Sequence, residues 1–138
     1  MPVTRVLVID DSLTIRGILD TIVGGQADLK IVGLASNVQQ AKDLMQDRDP
    51  DVITLDLALP DVDGMSYLEE LSHGPHAPVV VVSSSTQSKS EKANAALKAG
   101  AFACFDKARL VQDAPRFLKV LHKAADARRK ELEELKAA

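Results

Sequence analysis

The stretch Asp51-Val52-Ile53-Thr54-Leu55-Asp56-Leu57-Ala58-Leu59-Pro60 decides the fold of this chain. A short run of Val, Ile and Leu reads as a strand buried on both faces, and Asp is a poor guest inside one. Asp56 therefore marks the strand's C-terminal end, with a turn starting at once behind it. In open α/β sheets the rim made by such ends is where ligands bind. Alone, the stretch leaves two readings open: a carboxylate presented at a rim, or a residue that starts a turn.

Upstream, Asp47 to Pro50 ends a helix that carries Val38, Ala41, Leu44 and Met45 and that Asn37 can cap. Before it, Leu29 to Ala35 reads as a strand weakened by Gly33. Arg5 to Ile9 is a continuous apolar strand that ends on Asp10-Asp11-Ser12. Ile15, Ile18, Leu19 and Ile22 then follow helical spacing, with Asp11 or Ser12 as cap and Gly24-Gly25 as stop. Downstream, Asp61 to Gly64 forms a turn, and Met65, Leu68 and Leu71 mark a helix stopped by His73-Gly74-Pro75. Pro78 to Val82 is a strand that leads into Ser83-Ser84-Ser85-Thr86, a loop. Ala93, Ala96 and Leu97 mark a fourth helix closed by Gly100. Ala101 to Phe105 is a fifth strand ending on Asp106-Lys107, and a long last helix starts near Asp113.

Five strand–helix units with apolar strands imply a parallel sheet, right-handed crossovers and helices on both faces. The expected fold is α/β: a (βα)5 flavodoxin-like three-layer sandwich with five strands in 2-1-3-4-5 order and an extended C-terminal helix. With 138 residues, 46% apolar and 3% aromatic, this is one domain with an aliphatic core. A net charge of -3 and a pI near 5.6 give no basic field, so no direct nucleic-acid binding is expected. The one cysteine, Cys104, excludes an internal disulfide. Met1 to Thr4 lacks the charge and apolarity of a secretory leader, and no run suits a membrane span, so a cytoplasmic protein is expected.

In a parallel sheet, all C-terminal strand ends share one rim. Strand one brings Asp10 and Asp11, strand three Asp56, strand four Ser83 and Ser84, and strand five Lys107. Clustered carboxylates repel, and a divalent cation relieves that. Mg2+ prefers oxygen ligands, takes one or two carboxylates and commonly bridges to phosphate. A carboxylate can also attack phosphorus, and phosphoryl transfer is chiefly positioning and charge neutralisation. Lys107 and a serine hydroxyl complete the parts list.

These residues carry a resemblance. Val6 to Ser12, Asp56 with Leu59-Pro60 and Asp63-Gly64, Pro78 to Ser83, Ala99 to Ala101, and Lys107 make the chain look like a bacterial two-component response-regulator receiver domain of the CheY-like, single-domain type. The likeness spans about residues 4–125. It implies that Asp56 is the phospho-acceptor, assisted by Lys107 and Ser83, with Ser84 touching the phosphoryl group through its backbone. It implies a Mg2+ cofactor on Asp10, Asp11, Asp56 and the Ala58 carbonyl, and Ser83 and Cys104 as switch positions. It further implies a sensor histidine kinase or phosphotransfer protein as donor. A downstream protein would bind the face of the fourth helix, fifth strand and fifth helix. The implied molecule is no enzyme apart from self-catalysed phosphoryl transfer and autodephosphorylation, and is a monomer or a phosphorylation-dependent dimer.

The chain departs from the family at three positions. Cys104 stands where an aromatic residue often reports phosphorylation, and alternation should send Phe105 to the other face. Ala108 stands where a proline usually follows the lysine, so a trans Lys107–Ala108 bond or a strained exception is expected. Ala58 lacks the polar side chain that relatives often carry there, one that influences phosphate loss.

Plainer readings cover other residues. Asp61 and Asp63 resemble the start of a calcium loop without its closing glutamate, and read as turn and cap residues. His73, His76 and His122 read as surface residues, and Cys104 as a filler rather than a reactive thiol. Residues 1–125 read as the receiver and 126–138 as an extension of the last helix. For that extension two readings stay open: a solvated helix with weak ion pairs, or a dimerising or linker helix using Leu132 and Leu135.

Other functions fit less well. An aspartate phosphatase would want an acid at position 58, and a flavin carrier would want a Ser/Thr/Gly-rich loop where Asp10-Asp11 stand. The alternative that remains is the receiver domain of a larger DNA-binding or enzymatic regulator truncated at about residue 138.

Overall fold

The computed structural model describes residues 3–84 and 91–137; the loop expected at Ser85 and Thr86 lies outside them. The chain alternates β1 (Thr4–Ile9), α1 (Leu13–Gly24), β2 (Leu29–Ala35), α2 (Val38–Arg48), β3 (Val52–Leu55), α3 (Gly64–Leu71), β4 (Val79–Ser83), α4 (Glu91–Lys98), β5 (Ala103–Asp106) and α5 (Ala114–Ala137). The five strands form one parallel sheet in the order β2-β1-β3-β4-β5, as the apolar runs imply. β1 and β3 pair in register, with Ile9 opposite Leu55, so their next residues emerge side by side. β2 runs through Gly33 without breaking; instead Val32 bulges, because Val6 pairs with Ile31 and Leu7 with Gly33.

The local signals act as expected. Ser12 Oγ accepts the Ile15 N–H and Asn37 Oδ1 accepts the Gln40 N–H, which starts α1 and α2. Gly100 turns α4 into β5 at a φ of 116°, a conformation only glycine adopts without strain.

Alternation splits the sheet's side chains into two cores. Leu7, Ile9, Ile53, Leu55, Val79 and Val81 face α2, α3 and α4, packing on Val38, Ala41, Tyr67, Leu68 and Ala96. Val6, Val8, Val52, Val80 and Phe105 face α1 and α5, packing on Leu19, Val23, Phe117 and Leu121. Phe105 meets Phe117 edge-on with ring centroids 5.2 Å apart. The cores are almost wholly aliphatic, in keeping with the composition.

α5 continues without a break past residue 125. Its Arg129 donates to Thr4 Oγ1 at 2.8 Å and lies 3.9 Å from Asp51, which ties the helix to the starts of β1 and β3. Leu132 and Leu135 beyond it are exposed. Among the described residues, no helix is long and apolar enough to cross a membrane.

One core residue is out of keeping. Thr54 pairs with Val8 and Val80 at the centre of the sheet, and its buried Oγ1 has no hydrogen-bond partner. An unsatisfied buried hydroxyl costs free energy that an isosteric methyl does not. Thr54→Val is expected to stabilise the fold by about 1 kcal/mol, measured by denaturant unfolding; a loss of stability would refute the orphan assignment.

Candidate functional site

The rim is built by the strand ends. Asp10 N donates to Ala35 O and Asp56 N to Ile9 O, both at 2.9 Å, so the sheet's own ladder carries these two acids to its edge. Both are nearly inaccessible, at 1% and 3% exposure, while Asp11 is exposed. Asp10, Asp11 and Asp56 each offer a carboxylate oxygen within 4.8 Å of the other two.

Lys107 crosses from the end of β5 to both buried acids. Its Nζ hydrogen-bonds Asp56 Oδ2 at 3.0 Å and lies 3.1 Å from Asp10 Oδ2. The reach depends on a 3-10 turn over Lys107–Arg109, whose first amide need is met by Asp106: its Oδ1 accepts from Ala108 N at 3.0 Å. The backbone in the described residues is trans throughout, Lys107–Ala108 included. Ser83 ends β4, buried and opposite Asp106 on β5; Ser84 follows it, exposed. Ala58 is exposed, and its N–H donates to Asp56 Oδ1 at 3.2 Å.

The loop behind Asp56 is tightly seated. Gly64 N donates to Leu57 O at 2.9 Å, and a Cβ on Gly64 would stand 2.5 Å from Asp56 O and from the Leu57 Cα. Only glycine lets α3 start against the strand exit here. Asp61 is a cap, but for α2 rather than for the helix that follows it: Val38 N and Gln39 N donate to its two oxygens. Asp63 precedes α3 without a side-chain capping bond. Asp61 and Arg129 are contributions that a local reading misses, because their partners lie far away in sequence.

Electrostatics follow from burial. Desolvation pushes the Asp10 carboxyl above the ordinary aspartate range, and the Asp56 charge adds to it; the Ser12 N–H at 2.8 Å and the Lys107 ammonium offset only part. Burial alone would depress Lys107, but the Asp56 and Asp10 carboxylates outweigh it and hold the ammonium above its usual range. Asp10 Oδ2 is buried and no donor is aligned on it despite the nearby ion pair. A buried carboxylate oxygen that shares its one ammonium with Asp56, beside two more acids, belongs to an all-oxygen donor set that suits a hard divalent cation. The residues therefore fit Mg2+.

Cys104 lies on the opposite face of β5 from Phe105, as alternation requires. Its Sγ donates to Ala93 O of α4 at 3.6 Å, and burial pushes the thiol pKa up.

A family model described as the response regulator receiver domain matches residues 6–116. Protein-glutamate methylesterase/protein-glutamine glutaminase 1 of Dechloromonas aromatica is 42% identical over 102 residues, which cover 73% of this chain and 29% of that protein. The corresponding enzyme 2 of Pseudomonas aeruginosa is 40% identical over 110 residues, covering 80% and 31%. The chain thus spans under a third of the length of these curated relatives. The response regulator domain of Thermotoga maritima CheB superposes with a TM-score of 0.83 at 32% identity, covering 90% of this chain and 97% of that one. On the family match and the rim that accompanies it, the chain belongs to the response regulator receiver domains, the CheY-like modules of two-component signalling.

Proposed function

We propose that this receiver takes a phosphoryl group on Asp56 from a histidine kinase or phosphotransfer protein and then offers an altered α4-β5-α5 face to a downstream protein. The observation that carries the reading is the juxtaposition of three carboxylates with one lysine that reaches two of them. Mg2+ would be held by Asp10, Asp11, Asp56 and the Ala58 backbone carbonyl, and when bound supplies charge neutralisation for the transferring group. An Asp56 carboxylate oxygen forms the new O–P bond as the donor's P–N bond breaks, and the imidazole leaves with the bonding pair. Lys107 neutralises charge on the phosphoryl oxygens, while the Ser83 hydroxyl and the Ser84 N–H hold others. The receiver spans residues 1–125, with 126–138 a helical extension, and works in the cytoplasm.

α1 starts directly behind Asp11 and gives the donor a place to dock. Thr14, Gly17, Ile18, Thr21, Ile22 and Val111 line an apolar groove of about 380 Å3. Leu13 and Val111 are 77% and 69% exposed, and among the described residues nothing outside the helix's own backbone lies within 4 Å of where a Gly17 Cβ would stand. The groove lies on the helix that follows Asp11, and an apolar helix that carries the phosphohistidine would suit it.

A second reading is favoured by the relatives' length: the receiver serves a longer regulator whose output is an enzyme, as in the methylesterases. Methylesterase activity of a longer chain that contains this receiver, raised by phosphorylation, would establish it.

Three outcomes are expected. With acetyl phosphate and Mg2+, mass spectrometry should find one phosphoryl group on the parent chain and none on Asp56→Asn; modification of folded Asp56→Asn would sink the acceptor assignment. Asp10→Asn should abolish Mg2+-dependent phosphorylation yet stabilise the metal-free protein by on the order of 1 kcal/mol at neutral pH. Because the folded pKa of Asp10 is raised, the cost of its charge appears as pH rises through that pKa, so the gain should shrink toward pH 3.8 in pH-dependent unfolding. Gly17→Arg should slow transfer from any kinase that phosphorylates the parent by roughly tenfold, a loss of about 1.4 kcal/mol, and leave acetyl-phosphate labelling intact. Equal slowing of both would place the defect in the site rather than in docking.

A further inference from the structure

The first turn of α2 has backbone amides that need acceptors. Asn37 satisfies one with its side chain, whose Oδ1 accepts from Gln40 N at 2.8 Å, while Ala41 N makes the helix's first regular bond, to the Asn37 carbonyl at 3.2 Å. The other two, Val38 N and Gln39 N, donate at 3.0 Å and 3.1 Å to the two oxygens of Asp61, 23 and 22 residues further along the chain. Asp61 sits on the loop that leaves the phospho-acceptor strand and carries Ala58. That loop is fixed near Asp56 by the Ala58 N–H on Asp56 Oδ1 at 3.2 Å, and at its far end by the Gly64 N–H on Leu57 O at 2.9 Å. Between these points Leu59 packs on the core and Asp61 pins the loop to α2, with Val62 N also donating to its Oδ1 at 2.9 Å.

We infer that Asp61 is a positioning residue for the metal site: by docking both carboxylate oxygens on the α2 N-terminus, it holds the loop that presents the Ala58 carbonyl. The inference rests on the proposed Mg2+ reading and names the residue that keeps its backbone ligand in place. Asp61 caps the two amides that Asn37 leaves open, and because it does so from the loop behind Asp56, the same two bonds fix that loop to α2. The same bonds, that from Val38 N–H first, hold the Asp61 carboxyl below the ordinary aspartate range, so the pin stays ionised at neutral pH. Negative charge is also what the positive end of a helix favours. Coupling is reciprocal: cation binding that orders the loop should tighten the bonds to α2.

The test is calorimetric titration of the full chain with MgCl2, with thermal melts on the same samples. The comparison is the parent, Asp61→Ala, Asp61→Asn and Asn37→Ala. Asp61→Ala should weaken Mg2+ binding by on the order of tenfold, as loss of a second-layer partner does. Asp61→Asn, which keeps one acceptor oxygen, should recover part of that loss. Asn37→Ala removes a cap from the same helix without touching the loop; it should lower the melting temperature and leave Mg2+ affinity unchanged. Parent-like affinity in folded Asp61→Ala, or equal weakening in Asn37→Ala, overturns the positioning role. A parent chain that binds no Mg2+ overturns the metal reading itself, which is a distinct result.

Discussion

A single ammonium group is shared by two buried carboxylates, and the strand order of the sheet is what brings the three together. Asp10 and Asp56 are both removed from solvent, where a pair of like charges is costly. Lys107 Nζ stands 3.1 Å and 3.0 Å from them, and burial makes that pairing stronger than it would be in water. The balance is incomplete. One lysine faces two buried acids with a third beside them, and Asp10 retains an oxygen without an aligned donor. An excess of carboxylate over ammonium is the condition under which a site gains from a divalent cation.

The fold supplies this geometry through strand order. β1 and β3 are neighbours in the sheet although β2 separates them in the chain, so Asp10 and Asp56 emerge adjacent at the point where the order reverses. Lys107 comes from β5, two strands from β3, and only a long flexible side chain spans that distance. The apolar strands that make the sheet rigid are therefore also what sets the distance between these charged groups. A rigid support of this kind is what phosphoryl transfer needs, since the protein contributes position and charge rather than covalent chemistry beyond the nucleophile.

What could be read from the sequence was local or periodic. Apolar runs marked the strands, helical spacing marked the helices, and Ser12 and Asn37 announced their caps. Once a parallel sheet was inferred, the rim residues followed, because every strand end must fall on the same side. The features that escaped reading join residues with no shared local pattern. Asp61 serves a helix that precedes it, Arg129 reaches back to Thr4, and the β2 irregularity falls at Val32 rather than as a break at Gly33. Each depends on two segments already packed together, and no window of sequence contains both partners.

Side-chain size separates the two helices that flank β5. An aromatic ring at position 104 could sweep between an inward and an outward rotamer and change a large surface. Cys104 has one side-chain torsion to its sulfur and little volume, so rotation there changes little. Its sulfur instead meets the Ala93 carbonyl of α4, a helix that buries only Ala93 and Ala96. Alanines hold a helix with little interdigitation, so α4 can shift over β5 at lower cost than a helix anchored by leucines. α5 is the opposite case: Phe117 and Leu121 lock it into the core and Arg129 fastens its far end. The face that flanks β5 therefore joins one helix held by small residues, α4, to one held by large residues and a distal ion pair, α5.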